Sequence, residues 1–213
     1  MEKRIIIMTE SSKFSGKCVA GIDVDSGEWV RLVSDDPETH GAIANEDLFY
    51  ENGRRCELLD VVDVLIVGEC NDDIQPENVM IDTSQNIEYV GKASIDDVLE
   101  IHPAENLDEI LGNKYSYILE QKVNTVGYSL ALVEVTDLEI MQVENPHGQP
   151  KTKANFTYNR DRYTQMSVTD PRFYSVKNET RYNNAILVIS IGTPYNGTVS
   201  YTHLRAHETG AYL

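Results

Sequence analysis

Cations and aromatic rings alternate through residues 148–182. Lys151, Lys153, Arg160, Arg162, Arg172, Lys177 and Arg181 stand against only Asp161, Asp170 and Glu179, with Phe156, Tyr158, Tyr163, Phe173, Tyr174 and Tyr182 between them. Together these residue types suit single-stranded nucleic acid. Lysine and arginine neutralise phosphates, and aromatic faces carry unpaired bases, each contributing about 1–3 kcal/mol. The same residues would also suit a barrel wall, because Phe156 and Tyr158 share strand parity with Ala154, as a core face would.

Other chemistry-bearing patterns are weaker. Ser11 to Cys18 reads S-S-K-F-S-G-K-C after a strand, but Ser11 replaces the leading glycine of a phosphate-binding loop and Cys18 its final Ser/Thr. The segment that follows reads as a strand, so no helix N-terminus is there to hold a phosphate. Gly127-Tyr128-Ser129-Leu130-Ala131 partly matches a nucleophile elbow, which needs a helix after the serine, whereas a strand pattern follows. None of His40, His102, His147, His203 and His207 pairs with Cys, Asp or Glu at metal-ligand spacing on a convincing element, and Asp72-Asp73 and Asp96-Asp97 lack the Gly and terminal Glu of a calcium loop. No catalytic residue, metal or cofactor is expected, and the chain reads as a non-enzymatic binding module.

Charge narrows the binding options. The net charge is −17, but residues 35–150 carry 5 basic and 26 acidic side chains, while residues 151–213 carry 8 basic and 4 acidic. A phosphate backbone would be repelled by the acidic body and accepted only on a local surface built from the chain's ends. No run approaches a membrane-spanning length. Met1 to Arg4 lead into only four apolar residues, Ile5 to Met8, too few for a secretory signal, so a cytoplasmic protein is expected. Cys18, Cys56 and Cys70 then read as small buried residues, and the N-x-T triplets at Asn155, Asn178 and Asn196 as chance matches.

The elements that would position these residues are mostly strands. Ile5-Ile6-Ile7 predicts a strand over 3–9. The alternation Cys18, Ala20, Ile22, Val24 predicts another over 17–24, and Asp25-Ser26-Gly27 turns the chain into a third over 28–33. On that third strand Trp29, Arg31 and Val33 share one face. A short helix is expected near 45–50, a strand over 57–68, and loop from 69 to 93 with one short strand at 87–90. Ser94 should cap a helix over 95–101, with Asp96 and Asp97 favourable in its first turn, and another short helix is expected at 107–111. Strands return over 129–144, 151–159, 161–169 and 184–192.

Several segments together resemble one family. They are K-R-I-I-I-M-T-E-S-S-K at 3–13, C-V-A-G-I-D at 18–23, W-V-R-L-V-S at 29–34, S-L-A-L-V at 129–133, K-T-K-A-N-F-T-Y-N at 151–159, Y-T-Q-M-S-V-T-D-P at 163–171 and S-I-G-T-P-Y-N-G at 190–197. The chain resembles the dual OB-containing domain family of bacterial and phage proteins over residues 3 to about 197. The resemblance implies a mainly β fold, two OB-like Greek-key barrels packed as one unit with a short helical insert, and inferred nucleic-acid binding. It also implies a further apolar strand after Gly197. Residues 199–213 instead read as a translated transposase sequencing adapter and are expected not to be native, which leaves the second barrel truncated.

The expected organisation is therefore a first barrel with an acidic insert over 1–100, a helical or loop connector over 101–127, an incomplete second barrel over 128–198, and a non-native tail. The expected ligand is single-stranded DNA or RNA, held by Lys13, Trp29, Arg31, Lys153, Tyr158, Arg162, Tyr163 and Arg172. The alternative is a protein-interaction or regulatory module of a prokaryotic defence or mobile-element system, docking a partner protein through its acidic surface.

Overall fold

The Ile5-Ile6-Ile7 run lies within a longer strand, β1 (Glu2–Lys13), which pairs antiparallel with β2 (Gly16–Asp23). The computed structural model describes residues 1–13, 16–70, 72–123, 125–145, 147–174, 179–192, 198–200 and 205–208. They fall into two units, Met1–Pro103 and Ala104–Leu213. Among the described residues no helix is long and apolar enough to cross a membrane.

In the first unit β2 turns into β3 (Trp29–Val33) where expected. Asp23 Oδ1 accepts hydrogen bonds from the Asp25 and Ser26 amides at 2.9 and 3.3 Å, and Gly27 takes a φ of 71°. The remaining elements are β4 (Asp60–Glu69), β5 (Asn78–Ile81), β6 (Glu88–Lys92) and the helix α1 (Ile95–Ile101). β4 pairs antiparallel with β1, β5 and β6, and β5 pairs in parallel with β3, setting Arg31 opposite Asn78. The ring β1-β2-β3-β5-β4 thereby closes into a five-stranded barrel. Its interior holds Ile5, Ile7, Val19, Val30, Leu32, Val62, Val64 and Ile81. Gly21 is dictated by this packing, because a Cβ there would sit 2.2 Å from the Ile6 carbonyl oxygen.

Two expectations for this unit are corrected. The loop expected over 69–93 contains β5, the strand that closes the ring. The helix expected near 45–50 is a single 3-10 turn, Glu46–Leu48. The capped helix forms as its sequence predicts: the Ser94 hydroxyl accepts from the Asp97 amide at 3.1 Å, and the Asp97 carboxylate accepts from the Ser94 amide at 2.7 Å.

The second unit contains β7 (Tyr117–Leu119), the short helix α2 (Glu120–Val123), β8 (Leu130–Glu144), β9 (Pro150–Tyr158), β10 (Asp161–Ser167), β11 (Thr180–Ser190), β12 (Thr198–Ser200) and β13 (Arg205–Glu208). Five of these strands form one sheet in the order β10-β9-β8-β11-β13, while β12 pairs with β7. The neighbours repeat those of the first barrel without a bond between β10 and β13 among the described residues. Phe156 and Tyr163 face each other across β9 and β10, stacked at 5.2 Å in the core.

The helix expected at 107–111 does not form. The Tyr158 hydroxyl accepts from the Leu107 amide at 2.7 Å, and the Tyr163 hydroxyl accepts from the Ile110 amide at 3.1 Å. These bonds tie the segment to the sheet, Leu111 takes a φ of 51°, and a 3-10 turn, Ile110–Gly112, forms in place of the helix.

One buried carboxylate organises the first barrel. Asp60, at 0% exposure, opens β4 and accepts from the Tyr50 hydroxyl at 2.7 Å, Arg54 at 3.1 Å, Lys92 at 3.0 Å and the Glu57 amide at 3.0 Å. Arg54 also stacks 4.1 Å from the Tyr89 ring. Burial pushes the Asp60 carboxyl upward, but the Tyr50 hydroxyl, Lys92 and the Glu57 amide outweigh it and hold the group below the usual carboxylate range. Asp60→Asn should therefore cost about 1.5–3 kcal/mol near neutral pH, measured by urea unfolding. The folded group is the stronger acid, so this stabilisation is complete above the unfolded value of about 3.9 and is lost as pH falls through the folded one. The difference between wild type and variant should shrink over that acidic range.

Candidate nucleic-acid interface

Strand parity sorts the second unit's cations from its aromatics. On β9, Thr152, Ala154, Phe156 and Tyr158 point inward and are buried, while Lys151, Lys153, Asn155 and Thr157 lie on the opposite, more exposed face. The bulge between Tyr163 and Met166 on β10 leaves Gln165 at a φ of 59°, and its amide donates to Asn155 Oδ1 at 2.9 Å.

A cleft of about 870 Å³ opens where the end of β8, the start of β9 and the end of β10 meet, with Gln142, Asn145, Lys151, Lys153, Ser167 and Tyr174 among the residues lining it. Gln142 on β8 fixes one wall. Its Nε2 donates to Thr152 Oγ1 at 2.8 Å and to the Phe173 carbonyl at 2.9 Å, which ties the 3-10 turn Pro171–Phe173 to the sheet. Tyr174 follows that turn, half-exposed, with its hydroxyl donating to the Thr169 carbonyl at 2.8 Å. At the other end the Asn145 side chain accepts from the His147 and Gln149 amides, both at 2.9 Å, and shapes the β8–β9 turn.

The cleft is electropositive. Lys153 Nζ donates to Ser167 Oγ at 2.9 Å, a neutral partner, and neither Lys151 nor Lys153 is held in an ion pair among the described residues. Burial pushes the Lys153 ammonium below the ordinary lysine value, and the nearby Lys151 charge pushes it further down. Glu144 is the one carboxylate among the described lining residues. Two close cations, one exposed and one partly desolvated, outnumber that carboxylate and suit an anionic ligand.

The other residues expected at the site are placed differently. Tyr158 and Tyr163 are only 5% and 1% exposed, with their hydroxyls engaged as described, so neither ring can carry a base. Arg162 reaches the surface of β10, but its guanidinium is committed to Glu139 and to the Asp137 carbonyl. Arg172 forks onto the buried Asp170 carboxylate, with Nη2 at 2.6 Å. In the first unit Arg31 is 3% exposed, because β3 is covered on both faces, and burial lowers its pKa. Trp29 is partly exposed, edge-on to His102 at 5.4 Å. Lys13 ends β1 opposite Gly16. Phe14, Ser15, Lys177, Asn178 and most of the block 192–197 and the tail 199–213 lie outside the described residues.

Of the eight residues, the structure places only Lys153 in the cleft. Lys151, Gln142 and Tyr174 were not selected from the sequence. Lys151 was legible, since it shares Lys153's parity on β9; Gln142 was not, because the turn it holds lies about thirty residues away in the chain.

A family model for the dual OB-containing domain matches residues 3–206. No curated protein matches the chain.

Two outcomes follow. Lys151→Gln should raise the Lys153 ammonium pKa toward, but not to, the ordinary value, because burial persists; side-chain NMR titration measures this. Tyr158→Phe should lower unfolding free energy by about 1–3 kcal/mol, since it strands the Leu107 amide and Glu105 carbonyl, and should leave oligonucleotide affinity unchanged.

Proposed function

The chain belongs to the dual OB-containing domain family, and from that premise we propose that it binds single-stranded nucleic acid, without catalysis, in the cytoplasm. OB barrels are generally binding modules, and oligonucleotides commonly lie across the second and third strands and the adjoining loops. In the second unit those strands are β9 and β10. The observation that carries the reading is the cleft there, in which Lys151 and Lys153 are in no ion pair among the described residues while Arg162 and Arg172 are already paired.

In this arrangement Lys151 and Lys153 neutralise consecutive phosphates. Tyr174 gives one exposed ring for a base, and Gln142 holds the turn that presents it. With one platform and no base-edge readout built around it, binding is tolerant of sequence and dominated by charge. DNA and RNA both fit the arrangement.

Fluorescence anisotropy with labelled oligo(dT) and oligo(U), across a series of salt concentrations, tests the proposal. Lys151→Gln/Lys153→Gln should weaken binding and flatten the log–log salt dependence by about 1.4, at about 0.7 per lost phosphate contact on single strands. Tyr174→Ala should weaken binding by about 1–3 kcal/mol without changing that slope. Failure of the full chain to bind either oligonucleotide at low salt would end this reading.

A further inference from the structure

The cleft of the second unit holds one lysine in surroundings that make an amine nucleophilic. Lys153 on β9 stands between two neutral residues, Met141 opposite it on β8 and Ser167 opposite it on β10. Its Nζ donates to Ser167 Oγ at 2.9 Å, which fixes the amine in the cleft. Lys151 lies two residues along on the same face of β9. Glu144, the one carboxylate among the described lining residues, is set opposite Pro150, three rungs of the ladder from Lys153 and about 10 Å along the strand. In the turn after β10, Asp170 and Arg172 are paired with each other. Lys153 therefore has a like charge beside it and no carboxylate on it among the described residues.

A lysine that is partly desolvated and beside a second cation gives up its proton more readily, and the neutral amine attacks a carbonyl carbon. Burial and the Lys151 charge both act on Lys153 in that direction. For holding phosphate alone these surroundings are a disadvantage, because they favour loss of the very charge that binds. They are an advantage for bonding to an aldehyde. Bases, phosphodiesters and intact sugars offer none. A DNA strand that has lost a base does, because its deoxyribose opens to a C1′ aldehyde. The cleft, about 870 Å³, is of a size to take that sugar with a neighbouring base against Tyr174.

We propose that Lys153 captures abasic sites in single-stranded DNA as a covalent imine, an inference that rests on the single-strand reading of the same cleft. On an intact strand Lys153 meets a phosphate; where a base is missing it meets the aldehyde. The Nζ lone pair bonds to C1′, and one N–H proton passes to the aldehyde oxygen. That oxygen then leaves as water with the second N–H proton, and C=N remains. Nothing is oxidised or reduced, and water reverses the step. The capture is stoichiometric and involves no turnover. Lys151 holds a flanking phosphate.

The full chain is mixed with oligo(dT) carrying one abasic position, and separately with intact oligo(dT), each with sodium cyanoborohydride, which reduces an imine to a stable amine. Strand concentrations are set to saturate each protein by anisotropy, so that differences in affinity do not enter. Denaturing electrophoresis measures the cross-link, and mass spectrometry of the digested adduct locates the modified lysine. The abasic strand alone should cross-link, and the adduct should lie on Lys153. Lys153→Arg keeps a positive charge but cannot form an imine, and should lower the cross-link by about tenfold or more. Lys151→Gln should slow cross-linking near pH 7, with the difference from wild type closing as pH rises, because Lys153 then regains its proton more readily. Far-UV circular dichroism checks both variants, and the adduct map of the wild-type chain decides the matter if a variant does not fold. The inference is overturned if the adduct lies on other lysines, if Lys153→Arg cross-links like wild type, or if Lys151→Gln is not slowed. An abasic strand that binds without cross-linking overturns the capture and leaves single-strand binding standing, whereas failure to bind either strand overturns both.

Discussion

The buried Asp60 carboxylate is the interaction on which the first barrel turns. It stands at the head of β4, and β4 is the strand against which β1, β5 and β6 are all laid. Its donors come from two separate stretches: Tyr50, Arg54 and Glu57 before β4, and Lys92 at the end of β6. An ionised carboxylate without water is tolerable only when its lone pairs are filled, so the loop before β4 and the strand beside it are held by one requirement. That is why an irregular, polar stretch such as 49–57 has a defined course without regular secondary structure.

The same rule separates architecture from function over the rest of the chain. Arg162 with Glu139, Arg172 with Asp170 and Lys3 with Asp23 are charges spent on the fold. Lys151 and Lys153 in one unit, and Glu28, Glu69 and Asp73 in the other, are not. The sign of each region follows its count of charged residues, but compensation decides which of those charges remain available at the surface. The basic tract of the sequence is electropositive at the surface only where its cations have no acidic partner.

Much of the fold was legible because it is local. The β1–β2–β3 meander follows from a β-branched run, an alternating segment and an Asp-Ser-Gly turn, and α1 follows from Ser94 and Asp97. What escaped was set by distant groups. N-V-M-I at 78–81 is too short and too little patterned to announce a strand; it becomes β5 because β3 and β4 leave a place between them. The segment 107–111 is instead tied to Tyr158 and Tyr163, some fifty residues later, and turns at Leu111 with a positive φ. At the candidate site, parity on β9 already put Lys153 and Tyr158 on opposite faces, so selecting both for one surface was inconsistent with the strand itself. The pairing of Arg162 with Glu139 was invisible until β8 lay beside β9 and β10.

The parallel ladder between β3 and β5 bears on the order in which the barrel is assembled. The first three strands meet through neighbouring residues and can form early. The β3–β5 ladder must wait until the chain from Ser34 to Glu77 has come round, an entropic cost that non-local pairing incurs before any contact returns it. A cleft of about 520 Å³ in this barrel is lined by Trp29 and Val30 from one of those strands and by Asn78 and Val79 from the other. The cleft thus comes into being only when this ladder forms. Whatever occupies it binds only the completed barrel and, by mass action, holds it shut.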